Sequence, residues 1–146
     1  MSLMNVLSVS ASGMEAQSTR MRMMAENLAN AQTTRTPEGG PYRRKDVVLE
    51  SDSDLTSPFS SHLAAAMGEP LIGVRVGELL ADENAIDLRF DPEHPDANED
   101  GYVAYPQVNP AEELVNLQSA ARAYEANIAV MSTAKEMLRR SLEMLR

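Results

Sequence analysis

The sequence predicts an α+β fold: long antiparallel N- and C-terminal helices forming a coiled-coil-like hairpin, with a small antiparallel β domain inserted between them. A strict heptad pattern near the C-terminus and a weaker seven-residue repeat near the N-terminus set the two helices. Short alternating apolar runs between Pro- and Gly-rich turns set the insert. The expected boundaries are 1–33 for the N-terminal helix, 34–108 for the insert and 109–146 for the C-terminal helix. Within the insert, residues 51–70 read as a loop-like stretch, rich in Ser, Asp and Ala and broken by Pro58, Gly68 and Pro70.

The C-terminal helix carries the stronger signal. Leu114, Leu117, Ala121, Tyr124, Ile128, Met131, Lys135, Leu138, Leu142 and Leu145 alternate spacings of three and four, and only Lys135 interrupts the apolar run. That average period of about 3.5 belongs to helices packed in a left-handed supercoil. Asn109 is a suitable N-cap and Pro110 a suitable first-turn residue. Glu112 and Glu113 near the start, and Arg139 and Arg140 near the end, suit the helix dipole. A helix from about residue 110 to 145 would be roughly 54 Å long.

The N-terminal helix is expected from about residue 4 to 31, roughly 42 Å. Leu7, Met14, Met21 and Leu28 recur every seventh position, while the companion series Leu3, Ser10, Gln17, Met24 and Ala31 is partly polar. Gly13 within it costs about 1 kcal/mol relative to Ala, so the isolated helix is marginal. Asn30 and the Thr33-Thr34 pair favour termination. An antiparallel pair of this kind buries a single seam, and its Ala-rich flanks leave apolar surface unspent, which marks an assembly element.

Between the helices, Pro37-Glu38-Gly39-Gly40-Pro41 is a turn cluster. Four short strands are expected around Val47–Leu49, Ile72–Val76, Ile86–Phe90 and Tyr102–Tyr105.

Composition and charge narrow the function. Within residues 46–100 only Arg75 and Arg89 oppose 14 acids, and the net charge of the chain is −9. This balance disfavours nucleic acid, whose binding rests on phosphate neutralisation, and the run Arg43-Arg44-Lys45 is too short to reverse it. No cysteine is present for disulfides or thiolate metal sites. No stretch has the roughly 20 apolar residues of a membrane span, so no direct membrane insertion is expected, and the first residues lack the pattern of a general secretory signal. Ten methionines and an aromatic content of only 4% favour adaptable faces over a large enzyme core. His62 and His94 are the only histidines, and no nucleophile-elbow, P-loop or zinc-ligand spacing occurs. The sequence therefore points to no enzyme, cofactor or metal. Asp96-Ala-Asn98-Glu-Asp100-Gly101 fits the opening of a calcium loop, but Gln107 stands where a bidentate Glu is required and Pro92, Pro95 and Pro106 exclude the flanking helices. An acidic turn leading into a strand accounts for the same residues.

Three stretches together carry a family resemblance: NLANAQTTRTPEGGPYRRK (27–45), DPEHPDANEDGYVAYPQVNP (91–110) and ELVNLQSAARAYEANIAVMSTAKEML (113–138). In combination they resemble the flagellar basal-body rod proteins, and among these the members of the proximal rod. The resemblance implies a structural subunit of the bacterial flagellum that polymerises through its terminal helices into a helical tube transmitting torque. It also implies a place in the rod within the periplasmic space, reached through the flagellar type III export apparatus. Implied partners are copies of itself and other rod proteins, with FlgB-, FlgF- and FliE-type neighbours.

On this reading Leu7, Met14, Met21, Leu28, Leu114, Leu117, Tyr124, Ile128, Met131 and Leu138 build the assembly interface. Asn27, Asn30, Thr33, Gly40, Pro41, Tyr42, Asn116, Arg122, Tyr124 and Asn127 match the family motifs. Their polar members could fix register between helices, as a single polar residue does in a coiled coil. The competing reading is a cytosolic helical adaptor that binds one partner through the C-terminal heptads.

Overall fold

The computed structural model describes residues 3–52, 73–81 and 85–144. Two long helices enclose two small sheets in chain order: α1 (Leu3–Ala29), β1 (Lys45–Asp52), β2 (Gly73–Ala81), β3 (Ile86–Phe90), β4 (Tyr102–Pro106) and α2 (Pro110–Met144). β1 pairs with β2 and β3 with β4, giving two separate two-stranded sheets where the sequence suggested one β domain. At 27 and 35 residues the helices are about 40 and 52 Å long. Ser51 and Asp52, expected in a loop, complete β1. The rest of that stretch, with His62, Ile72 and Leu145, lies outside the described residues.

The ends of the helices follow local chemistry. Asn109 caps α2: its Oδ1 accepts from the Ala111 N–H at 3.1 Å and its carbonyl from the Glu113 N–H at 3.0 Å. At the end of α1 the Asn30 side chain competes for the helix ladder. Its Nδ2 donates to the Glu26 carbonyl at 2.9 Å and its Oδ1 accepts from the Thr33 hydroxyl at 3.2 Å. The helix accordingly stops at Ala29, slightly before the position the sequence suggested. Gly39 and Gly40 take φ of 92° and 75°, values that favour glycine, and the Thr36 N–H donates to the Gly40 carbonyl at 2.9 Å. The chain then returns, with the Tyr42 N–H on the Thr33 carbonyl at 3.0 Å.

The chain forms two compact units. The first holds α1 up to Thr19, α2 from Ala120, and the strand residues 49–52 and 73–77. Its buried residues are small: Ser10, Ala16, Ala120 and Ala134. A Cβ placed on Gly13 would lie 3.1 Å from Nδ2 of Asn127, so the absent side chain lets the two helices approach there. Ser12 links helix to strand, accepting from the Val74 N–H at 3.1 Å and donating to the Val9 carbonyl at 2.9 Å.

The second unit holds the remainder of both helices and the β3–β4 hairpin. Here Val103 is fully buried and Pro106, Ala85, Met24 and Tyr42 are nearly so. The hairpin register sets Leu88 against Ala104, Arg89 against Val103 and Phe90 against Tyr102. The Phe90 and Tyr102 rings meet edge to face at 5.4 Å.

Candidate assembly site

The second unit is clamped by a buried polar cluster that joins helix, strand and helix. Asn27, only 1% exposed, presents its amide to one residue of β1. Oδ1 accepts from the Lys45 N–H at 3.0 Å, while Nδ2 donates to the Lys45 carbonyl at 2.8 Å. The side chain thus makes the paired bonds that a neighbouring strand residue would make. The Tyr42 hydroxyl donates to the same Oδ1 at 3.0 Å, and Nδ2 also lies 3.4 Å from Glu113 Oε2.

Glu113 is 2% exposed, and its charge is met by Arg44, whose Nε donates to Oε1 at 2.9 Å. Partial burial pulls the Arg44 guanidinium down. The hydrogen bond and charge of Glu113, backed by Asp46 and Glu112, outweigh it and raise its pKa on balance. Burial, followed by the charge of and hydrogen bonding to Glu26 and then by the charge of Glu113, pushes the Tyr42 phenol up to about 12. Lys45 pairs with Glu26 and lies over the Tyr42 ring at 5.7 Å. Beside the cluster is a polar cavity of about 70 Å³ lined by Arg20, Met24, Asn27, Arg44, Glu113 and Asn116 among others, large enough for water.

The remaining motif residues are structural at their own positions. Asn30, Thr33 and Gly40 terminate α1 and shape its turn, and Pro41 is buried beside Tyr42 in the chain. Asn127 donates to the Ala123 carbonyl at 3.1 Å and faces Gly13. Tyr124 is half-buried. Arg122 is exposed, with no ion-pair partner among the described residues.

In the acidic loop, Asp96 accepts from the Thr34 hydroxyl at 2.8 Å and pairs with Arg35. Asn98 Oδ1 accepts from the Asp100 and Tyr102 N–H groups at 3.1 and 2.8 Å. These side-chain oxygens shape the turn into β4, and Gly101 follows with φ of 78°.

The heptad stripe of α2 divides between two faces. Leu117, Tyr124, Met131 and Leu138 are half-buried, and the positions flanking them on the inner side are Glu113, Ala120, Asn127 and Ala134. Leu114 and Ile128 are turned outward, 51% and 47% exposed, with Leu142 further along the same flank. At roughly 100° per residue this flank lies about 80° to one side of the inner face. About 80° to the other side lies a second apolar flank of Val130, Met137 and Met144, all exposed. On α1, Leu7, Met14, Met21 and Leu28 are half-buried. The companion series supplies the more deeply buried Ser10 and Met24, and a Gln17 whose buried Oε1 has no hydrogen-bond partner among the described residues.

Sequence reasoning placed Glu113 in the first turn of α2 but not in a buried ion pair. Its partner Arg44 is 69 positions away, and no local pattern connects the two.

Helices that meet on small and polar residues while leaving apolar flanks outside suit a structural, helix-packing subunit. The family model for flagella basal body rod protein matches residues 7–35, and that for the flagellar basal body rod FlgEFG protein C-terminal region matches residues 99–144. Flagellar basal-body rod proteins FlgC from Bacillus subtilis, Borreliella burgdorferi and Salmonella typhimurium are 41%, 38% and 37% identical to the chain. The alignments cover 98%, 99% and 97% of both partners, respectively. The chain belongs to the flagellar basal-body rod proteins, in the FlgC family. These relatives lend no support to the adaptor reading.

Proposed function

We propose that this structural subunit of the flagellar basal-body rod polymerises through the two apolar flanks of α2, with the half-buried α1 series completing the layer. The single observation that supports the reading is the exposure of Leu114, Ile128 and Leu142 on one flank and of Val130, Met137 and Met144 on the other. Each flank gains burial when a neighbouring helix covers it, and two different flanks allow the heterologous contacts that open growth requires. On this proposal residues 1–33 and 109–146 form the inner layer and 34–108 an outer domain. The rod is the proximal one, its partners are copies of this chain and other rod proteins, and the flagellar type III apparatus exports the subunit. A small-residue, weakly self-stable α1 suits a chain that is threaded unfolded and completed on docking.

The test is complementation of a strain lacking this protein with Ile128→Asp. Ile128 is 47% exposed, so the free subunit is expected to keep its stability within about 0.5 kcal/mol. Purified basal bodies should lack the variant and the cells should not swim, because the contact would bury an unpaired charge. Normal rods containing Ile128→Asp overturn the proposal.

A further inference from the structure

β3 carries a surface that helix-mediated polymerisation does not use. Ala85 accepts from the Gln107 N–H, and the Asp91 N–H donates to the Gly101 carbonyl, both at 3.0 Å. Those bonds fix the alternation along the hairpin: Asp87 and Arg89 turn their backbone groups toward β4, and Ile86, Leu88 and Phe90 turn theirs away. Among the described residues no strand pairs with that outer edge. Every residue of β3 is exposed, Leu88 and Phe90 at 64% and 66%. An open edge with apolar side chains is a template for strand addition.

The strand reads Ile-Asp-Leu-Arg-Phe, and it complements itself in one register. Antiparallel pairing of two copies centred on Leu88 sets Asp87 opposite the second copy's Arg89, and Arg89 opposite its Asp87. Ile86 then faces Phe90 on the other side of the sheet. The backbone groups exchanged are those of Ile86, Leu88 and Phe90, which are the outward ones. Directly opposed residues in an antiparallel pair lie about 4.5–5.5 Å apart at Cβ, so the two charge pairs fall within contact. Within one copy Arg89 Nε already lies 3.0 Å from Asp87 Oδ2 and its guanidinium lies 4.9 Å from the Tyr105 ring centroid, while both charged side chains remain well exposed.

We propose that the free subunit forms a weak isologous dimer through β3, closing a four-stranded sheet in the order β4-β3-β3-β4. The occupant of the edge is a second copy of this chain. The inference does not rest on the helix-flank reading. The dimer is two-fold and closed, so it belongs to the unassembled protein and covers an aggregation-prone edge until growth begins. With five residues per strand the interface is of the small, transient class.

The test is sedimentation equilibrium of the purified full chain from roughly 10 to 500 μM, where weak complexes populate. The mass should rise with concentration from 16.0 kDa toward twice that value. Asp87→Arg and Arg89→Asp should each weaken association at least tenfold, by setting like charges opposite each other. The double swap Asp87→Arg/Arg89→Asp should restore it. Amide exchange at Ile86, Leu88 and Phe90 should slow with concentration in the wild type and in the double swap only. A monomer at all concentrations overturns the proposal. So does a dimer that the single swaps leave intact, or one that the double swap fails to rescue. Association lost in Ile128→Asp but retained in Asp87→Arg would assign it to the helices instead.

Discussion

Asn27→Asp replaces one atom and reverses the chemistry of the buried clamp. The amide now donates from Nδ2 to the Lys45 carbonyl at 2.8 Å and faces Glu113 Oε2 at 3.4 Å. A carboxylate there sets an acceptor against a carbonyl and a charge against a charge. Loss of the buried donor costs about 1–2 kcal/mol. Two unit charges at that separation repel by about 4–5 kcal/mol at an effective dielectric of 20, an upper bound that proton uptake and Arg44 reduce. The net cost at pH 7 is therefore about 3 kcal/mol.

The cost depends on pH with a defined sign. Burial and Glu113 oppose ionisation of the new carboxyl, while the Lys45 N–H and the Tyr42 hydroxyl support it through the other oxygen only. The folded-state pKa is thus raised above the unfolded value of about 3.9. The folded state then holds the proton more tightly, and stability relative to wild type falls as pH rises above about 4. Urea unfolding followed by far-ultraviolet circular dichroism at pH 4.5, 5.5 and 7 measures it. The deficit should grow with pH, whereas Asn27→Ala should show a nearly constant one. A deficit below about 1 kcal/mol at pH 7, or one independent of pH, would refute the account of the clamp.

Tyr42→Phe removes one of two donors to Asn27 Oδ1 and should cost about 1 kcal/mol. Because the Tyr42 pKa is raised from 10.0 to about 12, wild-type stability should fall between those pH values, and the variant should lose that part of the slope in an alkaline denaturation series. Gly13→Val should destabilise by about 1–3 kcal/mol in thermal unfolding, since its side chain enters the space of Asn127. Pairing it with Asn127→Ala should recover at least half of the loss, and additive effects in that cycle would mean the two positions do not meet.

Much of the fold is legible in the sequence because helix and strand periods are local properties. The cap at Asn109, the stop near Asn30 and the strand alternation at Ile86–Phe90 follow from residues within a few positions of each other. The choice of inner face is not local. Heptad reading marks every apolar stripe and says nothing of which one the chain itself covers. Here the inner face takes Gly13, Ala120, Asn127 and Ala134 beside the apolar series, since small residues let backbones approach, and Leu114 and Ile128 are left outside. The division of the strands into two sheets also escaped, because alternation specifies faces and leaves partners open. The motif residue Asn27 is visible through the family resemblance, but its partner Glu113 is 86 positions away and by local pattern is only a helix-dipole acid.

The two outward flanks of α2 differ in composition, Leu and Ile on one and mainly Met and Val on the other. If the Leu114, Ile128 and Leu142 flank docks on the growing end and the Met-rich flank receives the incoming copy, damage to the Met-rich flank alone leaves a subunit able to join but unable to be joined. Such a subunit acts as a chain terminator. Its effect on swimming would be dominant over wild type and reached at far less than equal expression, whereas a subunit damaged on both flanks would simply be absent and recessive.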